Sequence, residues 1–128
     1  MARIIVIDDD YDLSDLTRTI LVHNGYQVMI FHEAEPALVE VRKRKPDLIL
    51  MDVMLPGMSG AEAIKELKKD SQLKDIPVIF LTGLVSSNDA DLREMGLHVD
   101  GMKYKILGKP YESKELLDLI KQMIAGKN

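Results

Sequence analysis

The sequence predicts an α/β protein built on a doubly wound, five-stranded parallel sheet with strand order 2-1-3-4-5. Two observations lead there. Aliphatic runs alternate with amphipathic stretches along the whole chain, and a run with no polar alternation marks a strand buried on both faces. Several of these runs also end in polar side chains: Ile4–Ile7 in Asp8, Asp9 and Asp10, Leu48–Met51 in Asp52, Val78–Leu81 in Thr82, and Tyr104–Leu107 in Gly108, Lys109 and Pro110. In a parallel sheet those ends gather along one edge.

Residues 3–7 read as the first strand. Leu13, Leu16, Ile20 and Leu21 follow helical spacing up to Val22, and Asn24-Gly25 stops that helix. A second strand runs from Tyr26 to Phe31, and a second helix from about Ala34 to Arg44, with Pro36 tolerated in its first turn. The basic run Arg42–Lys45 is a solvated helix end favoured by the helix dipole. Asp47–Met51 is the third strand and Leu55-Pro56-Gly57 a turn. Ser59 with Glu62 three residues on forms a capping box for a third helix that ends near Lys69-Asp70. Ile76–Leu81 is the fourth strand, with Pro77 near its start. Ser86 or Ser87 caps a fourth helix ending at Met95-Gly96. Residues 102–107 form the fifth strand, and a last helix from about Glu112 to Ala125 puts Leu116, Leu117, Ile120, Met123 and Ile124 on one face. The methionines are expected to fill the core.

A chain of 128 residues is expected to be one domain, 1–128, with no segment left over for an effector function. The net charge of −4 argues against direct nucleic-acid binding, which normally uses a basic face, and against an anionic membrane surface. The absence of cysteine excludes a disulfide framework and a cysteine-ligated metal. The apolar run after Met1-Ala2-Arg3 is too short for a signal peptide or a span, so a cytoplasmic protein is expected. His23, His32 and His98 show no ligand spacing and are expected at the surface or at helix ends.

The strand ends suggest chemistry. Neighbouring strands lie about 4.8 Å apart, which places Asp8 and Asp9 within reach of Asp52. Such carboxylates repel one another unless a cation joins them. Mg²⁺ binds through one or two carboxylates and keeps open positions for phosphate oxygens. Thr82 and Lys109 could then neutralise charge on a transferring phosphoryl group. Each residue alone has a plainer reading: Asp8–Asp10 as a helix start, Asp52 as a loop acid, Thr82-Gly83 as a turn, Lys109-Pro110 as a surface loop. Their convergence is the specific signal.

The stretches IIVIDDD (4–10), PDLILMDVMLPGMSG (46–60), VIFLTG (78–83) and GKPY (108–111) together resemble the receiver domain of bacterial two-component response regulators, the flavodoxin-like receiver fold. The resemblance implies that Asp52 accepts a phosphoryl group from a phosphohistidine on a sensor histidine kinase or histidine phosphotransfer protein. It implies a Mg²⁺ site made by Asp9 and Asp52, by Asp8 through a water, and by the Met54 carbonyl. Thr82, Lys109 and the Gly83 N–H would hold phosphoryl oxygens, and the Lys109–Pro110 bond would be cis. Output would pass to a downstream target protein, from a monomer or a phosphorylation-dependent dimer, with no catalysis beyond Mg²⁺-dependent self-phosphorylation and self-dephosphorylation.

Two places depart from the family pattern. Ile106 stands where an aromatic switch residue is usual, and Tyr104, on the same strand face, is the candidate substitute. Residues 97–103 read as an insertion before the last strand. In the family the positions two after the phosphorylated Asp and after the Thr flank the path of the hydrolytic water; here they are the apolar Met54 and Leu84, and the resemblance implies slow self-dephosphorylation. The rival is a haloacid-dehalogenase-type Mg²⁺ phosphatase with Asp8 as nucleophile, because Asp8-x-Asp10 after the first strand resembles its motif. That reading expects Thr or Val at position 12, where Asp12 stands, and leaves Asp52 without a role. A flavodoxin-like FMN site is excluded by the aspartates where a phosphate loop would lie.

Overall fold

The aliphatic runs become strands because both of their faces are covered. The computed structural model of the chain describes residues 1–83, 97–99 and 101–126. Its strands are β1 (Arg3–Ile7), β2 (Gln27–Phe31), β3 (Leu48–Asp52), β4 (Val78–Thr82), β5 (Leu97–Val99) and β6 (Met102–Gly108). The described helices are α1 (Tyr11–His23), α2 (Ala34–Lys43), α3 (Gly60–Lys68) and α4 (Ser113–Ala125). The helix expected between Ser86 and Gly96 lies outside the described residues, as does Leu84.

Side-chain alternation along the strands divides the core in two. Ile5, Ile7, Ile49, Met51, Phe80, Tyr104 and Ile106 face α2 and α3, meeting Leu38, Val41, Ile64 and Leu67. Ile4, Val6, Leu48, Leu50, Ile79, Leu81 and Leu107 face α1 and α4, meeting Leu21, Leu116 and Ile120. Every residue of β3 and β4 is buried. Each such aliphatic side chain contributes about 1.5–3 kcal/mol on burial. Tyr104 and Ile106 do share a face, as the period of two requires. Among the described residues Met51 is the methionine fully inside, whereas Met29, Met54 and Met102 are exposed, so core filling is a poor account of the methionines.

The sheet runs β2-β1-β3-β4-β6-β5. The expected order 2-1-3-4-5 is present, with β6 as its fifth parallel member, but there is also a sixth strand. β5 pairs antiparallel with β6, Val99 opposite Met102 and Leu97 opposite Tyr104. Part of the expected insertion is therefore a hairpin arm. Gly101, at φ +82, takes the left-handed conformation that its tight turn requires. Among the described residues no helix is long and apolar enough to cross a membrane.

Local signals set the helix starts. Asp10 caps α1, its side chain accepting from the Leu13 N–H at 3.0 Å. Ser59 and Glu62 form the expected capping box on α3. Register then places the strand ends: Ile7 opposite Met51, Asp52 opposite Leu81, and Thr82 opposite Gly108.

Candidate functional site

Because Ile7 lies beside Met51, the next residue on each strand, Asp8 and Asp52, meet at the carboxyl edge of the sheet. Both are buried, at 1% and 6% exposure. Asp9 lies at the surface beside them, and one carboxylate oxygen from each of the three falls within 4.8 Å of the others. Asp10, the next in the acidic run, points away into the α1 cap. The plain helix-start reading thus holds for Asp10, while Asp8 and Asp9 join Asp52.

Lys109 closes the cluster. Its Nζ lies 2.7 Å from Asp52 Oδ2, and 2.9 and 2.8 Å from the two oxygens of Asp8. The Lys109 main-chain N–H donates to the Thr82 carbonyl at 2.9 Å, which fixes the loop after β6 against the end of β4. The Lys109–Pro110 peptide is cis. Thr82 is buried at this edge, at 4% exposure. Asp8, Asp9, Asp52 and Lys109 are therefore drawn together at the carboxyl edge of the sheet, and Thr82 lies at the end of the neighbouring strand.

The carboxylates are oriented by backbone donors. Asp52 Oδ1 accepts from the Met54 N–H at 3.0 Å, and Asp8 Oδ1 from the Asp10 N–H at 3.0 Å. Met54 contributes its main chain here; its side chain is 68% exposed. Asp8 Oδ2 is buried and accepts no directed hydrogen bond among the described residues, although the Lys109 ammonium is close. The Lys109 ammonium thus pairs with two of the three carboxylates of the cluster. Burial pushes the Asp8 carboxyl above its ordinary range, against the pull of the Lys109 and Asp10 hydrogen bonds. For Lys109 burial works against the charge, but hydrogen bonds to Asp52 and Asp8 outweigh it, and its pKa is raised.

Gly60 permits the close packing beneath Asp52. A Cβ at this position would stand 2.7 Å from the Asp52 carbonyl oxygen and 2.9 Å from Phe80 Cε1. Phe80 in turn meets Tyr104 edge-on, with ring centroids 5.6 Å apart and planes at 89°. Tyr104 is 8% exposed and its hydroxyl has no hydrogen-bond partner among the described residues.

Two contacts were not foreseen from the sequence. Thr17 and Tyr111 share a hydrogen bond of 2.6 Å that joins α1 to the loop after Lys109. His32, expected to be an unremarked surface side chain, places Nδ1 2.8 Å from the Asp8 carbonyl and stacks on Tyr11. Both partners are main-chain or distant in sequence, so no spacing rule points to them.

Comparisons with known proteins agree on the fold and family. The model of the response regulator receiver domain matches residues 4–121. The phosphate regulon transcriptional regulatory protein PhoB of Escherichia coli (strain K12) is 36% identical over 122 residues, 95% of this chain and 51% of PhoB. The chain thus spans about half the length of the curated relatives it matches. A putative response regulator from Chloroflexus aurantiacus superposes with a TM-score of 0.82 at 27% identity, covering 97% of this chain and 98% of that one. The receiver domain of the Pseudomonas aeruginosa sensor histidine kinase PA1611, a structure with magnesium coordinated in its active site cleft, superposes at 0.81 with 22% identity. It covers 97% of this chain and 98% of that one, and at that identity the likeness shows the fold alone. None of these similarities favours the dehalogenase-type phosphatase. With the acidic edge and its lysine formed by the segments that the family model spans, the chain belongs to the response regulator receiver domain family.

Proposed function

We propose that this receiver takes a phosphoryl group onto Asp52 from a phosphohistidine on a sensor histidine kinase or histidine phosphotransfer protein, with Mg²⁺ as cofactor. The observation that carries this reading is Lys109, whose ammonium spans the buried Asp8 and Asp52 at 2.8 and 2.7 Å while Asp9 completes the cluster. The donor set suits the ion: it is all oxygen, it carries excess negative charge, and it includes the buried Asp8 Oδ2 without a directed donor. Asp8, Asp9, Asp52 and the Met54 carbonyl are the residues proposed to hold it. Bound there, Mg²⁺ supplies charge neutralisation for the phosphoryl oxygens in the transition state.

The chain's own groups do the rest. An Asp52 oxygen forms the bond to phosphorus as the bond from phosphorus to the donor imidazole nitrogen breaks, and that electron pair stays on the imidazole. The product is an aspartyl phosphate. Lys109 moves its hydrogen bond from the Asp52 carboxylate to a phosphoryl oxygen, and Thr82 and the Gly83 N–H hold the others. The phosphorylated form signals by binding a downstream protein, and no catalysis beyond self-phosphorylation and self-dephosphorylation is assigned. Its hydrolysis is slow because Met54 stands beside the phosphoryl site, so Met54→Ala should shorten the lifetime of the acyl phosphate; an unchanged lifetime removes Met54 from the account.

The proposal places the chain in the cytoplasm, with its kinase. PhoB is a transcriptional regulatory protein, but this chain matches about half of it. For residues 1–128 the net charge of −4 supports protein partners rather than direct contact with nucleic acid.

The test is incubation with a small phosphodonor and Mg²⁺, followed by intact mass and peptide mapping. The wild type should gain one phosphoryl group on Asp52, and Asp52→Asn none. Phosphate on Asp8 would instead revive the phosphatase reading, and no incorporation at all would sink both.

A further inference from the structure

The β1–β2 ladder ends just before the acidic site, and a side chain continues it. Ile7 pairs with Phe31, and the Asp8 N–H still donates to the Phe31 carbonyl at 2.9 Å. The next group along β1 is the Asp8 carbonyl, and it accepts from His32 Nδ1 at 2.8 Å. A carbonyl oxygen only accepts, so Nδ1 carries the proton. The imidazole is itself held: it stacks on the Tyr11 ring with centroids 3.6 Å apart and planes at 16°. Tyr11 opens α1 and is 64% exposed, so its ring is not fixed by the core.

This arrangement brackets Asp9. The Asp8 carbonyl belongs to the peptide that joins Asp8 to Asp9, and Tyr11 follows two residues later. Asp8 and Asp52 are held by Lys109 and by backbone donors. Among the described residues no hydrogen bond or ion pair holds the Asp9 side chain, yet its oxygen lies within 4.8 Å of those of Asp8 and Asp52. Its direction is therefore set by its backbone, and the peptide preceding it is anchored from His32.

We propose that His32, held by its stack on Tyr11, is a positioning residue that fixes the Asp8–Asp9 peptide and so aims the Asp9 carboxylate at the divalent-cation site. The proposal rests on the reading of this cluster as a Mg²⁺ site. Hydrogen bonds that orient metal ligands without touching the metal commonly change affinity by about 10- to 100-fold when lost.

Mg²⁺ titration followed by the amide resonances of residues 8–11, together with metal-free urea unfolding, tests it. His32→Phe keeps a ring for Tyr11 but has no donor. His32→Asn loses the ring but keeps an N–H at the position of Nδ1. His32→Phe should weaken Mg²⁺ binding about tenfold, and His32→Asn should recover most of that loss. Tyr11→Ala should weaken binding less than His32→Phe, because the hydrogen bond persists without its clamp. A merely structural ring would lower the urea midpoint in His32→Asn, which loses the stack on Tyr11, and leave the Mg²⁺ affinity of both variants alone. The proposal is overturned if His32→Phe binds Mg²⁺ like the wild type, or if His32→Asn is as weak as His32→Phe. A wild type that binds no Mg²⁺ overturns it together with the reading of the site; a wild type that binds Mg²⁺ and is phosphorylated on Asp52, with His32→Phe unchanged, overturns the positioning role alone.

Discussion

The Thr17 hydroxyl and the Tyr111 phenol lie 2.6 Å apart and tie the middle of α1 to the loop that carries Lys109. Thr17 is fully buried. Tyr111→Phe removes one partner and leaves the other hydroxyl without it, so stability should fall by about 1–2 kcal/mol. Urea unfolding at neutral pH checks this value.

The same tyrosine gives the fold a pH dependence. Burial raises the Tyr111 pKa, with the Thr17 hydrogen bond opposing, so the folded state retains the phenolic proton more strongly than the unfolded chain does. That contribution is complete below the unfolded value of about 10 and disappears as pH rises through the folded one. The wild type should therefore lose stability more steeply above that pH than Tyr111→Phe. Parallel slopes for the two proteins would remove Tyr111 from the alkaline transition.

Asp8 and Lys109 should respond to neutralisation with opposite signs. The folded protein favours a neutral Asp8, chiefly because the group is buried, and that preference contributes stability only until pH rises through the folded pKa. Above that pKa the ionised group opposes folding, and Asp8→Asn should raise the melting temperature of the metal-free protein. It should also forfeit the gain from Mg²⁺, which at a hundredfold excess over the dissociation constant is about 2.7 kcal/mol for a ligand that binds only the folded state. Lys109→Met leaves Asp8 and Asp52 without their ammonium and should cost about 3 kcal/mol in the absence of metal. Thermal melts of the three proteins, with and without Mg²⁺, read all four effects.

Gly60→Ala should be more damaging than an exchange on a helix would suggest. Alanine is the better helix former, but its Cβ would meet the Asp52 carbonyl oxygen at 2.7 Å and Phe80 at 2.9 Å. Relief requires moving the backbone of Asp52 itself. We expect a loss of about 1–3 kcal/mol together with slower phosphorylation from a small phosphodonor. Unchanged phosphorylation in a destabilised variant would show that Asp52 keeps its place.

Tyr104→Phe should stabilise. The phenol is buried beside Phe80 and its hydroxyl has no partner among the described residues, a state that costs about 1–3 kcal/mol relative to a satisfied group. Removing the oxygen keeps the ring contact, and the urea midpoint should move upward. A decrease would mean that the hydroxyl has a favourable interaction in solution.

Residues with local causes were legible in the sequence. Asp10 caps α1 and Ser59 with Glu62 caps α3 because those side chains bond to their own backbone neighbours. Asp8, Asp52, Thr82 and Lys109 were legible because parallel order brings strand ends to one edge. The arm Leu97–Val99 was read as part of an insertion, since three residues carry too short a pattern to declare a strand. The dipeptide Asp100-Gly101 between Val99 and Met102 was the available signal, a pair favoured in two-residue hairpin turns. The anchoring of Asp8 by His32 was out of reach, because a side chain that bonds to a main-chain carbonyl 24 positions away leaves no spacing to detect.

That short arm changes how copies of this protein can meet. A bare β6 would present a seven-residue ladder of open donors and acceptors, the kind of template on which chains stack into extended sheets. β5 occupies its first three rungs in the opposite direction, and Gly101 turns the chain sharply there. Strand addition to β6 along those rungs is shut off, and the margin left in its place is the three-residue β5, too short to template an extended sheet.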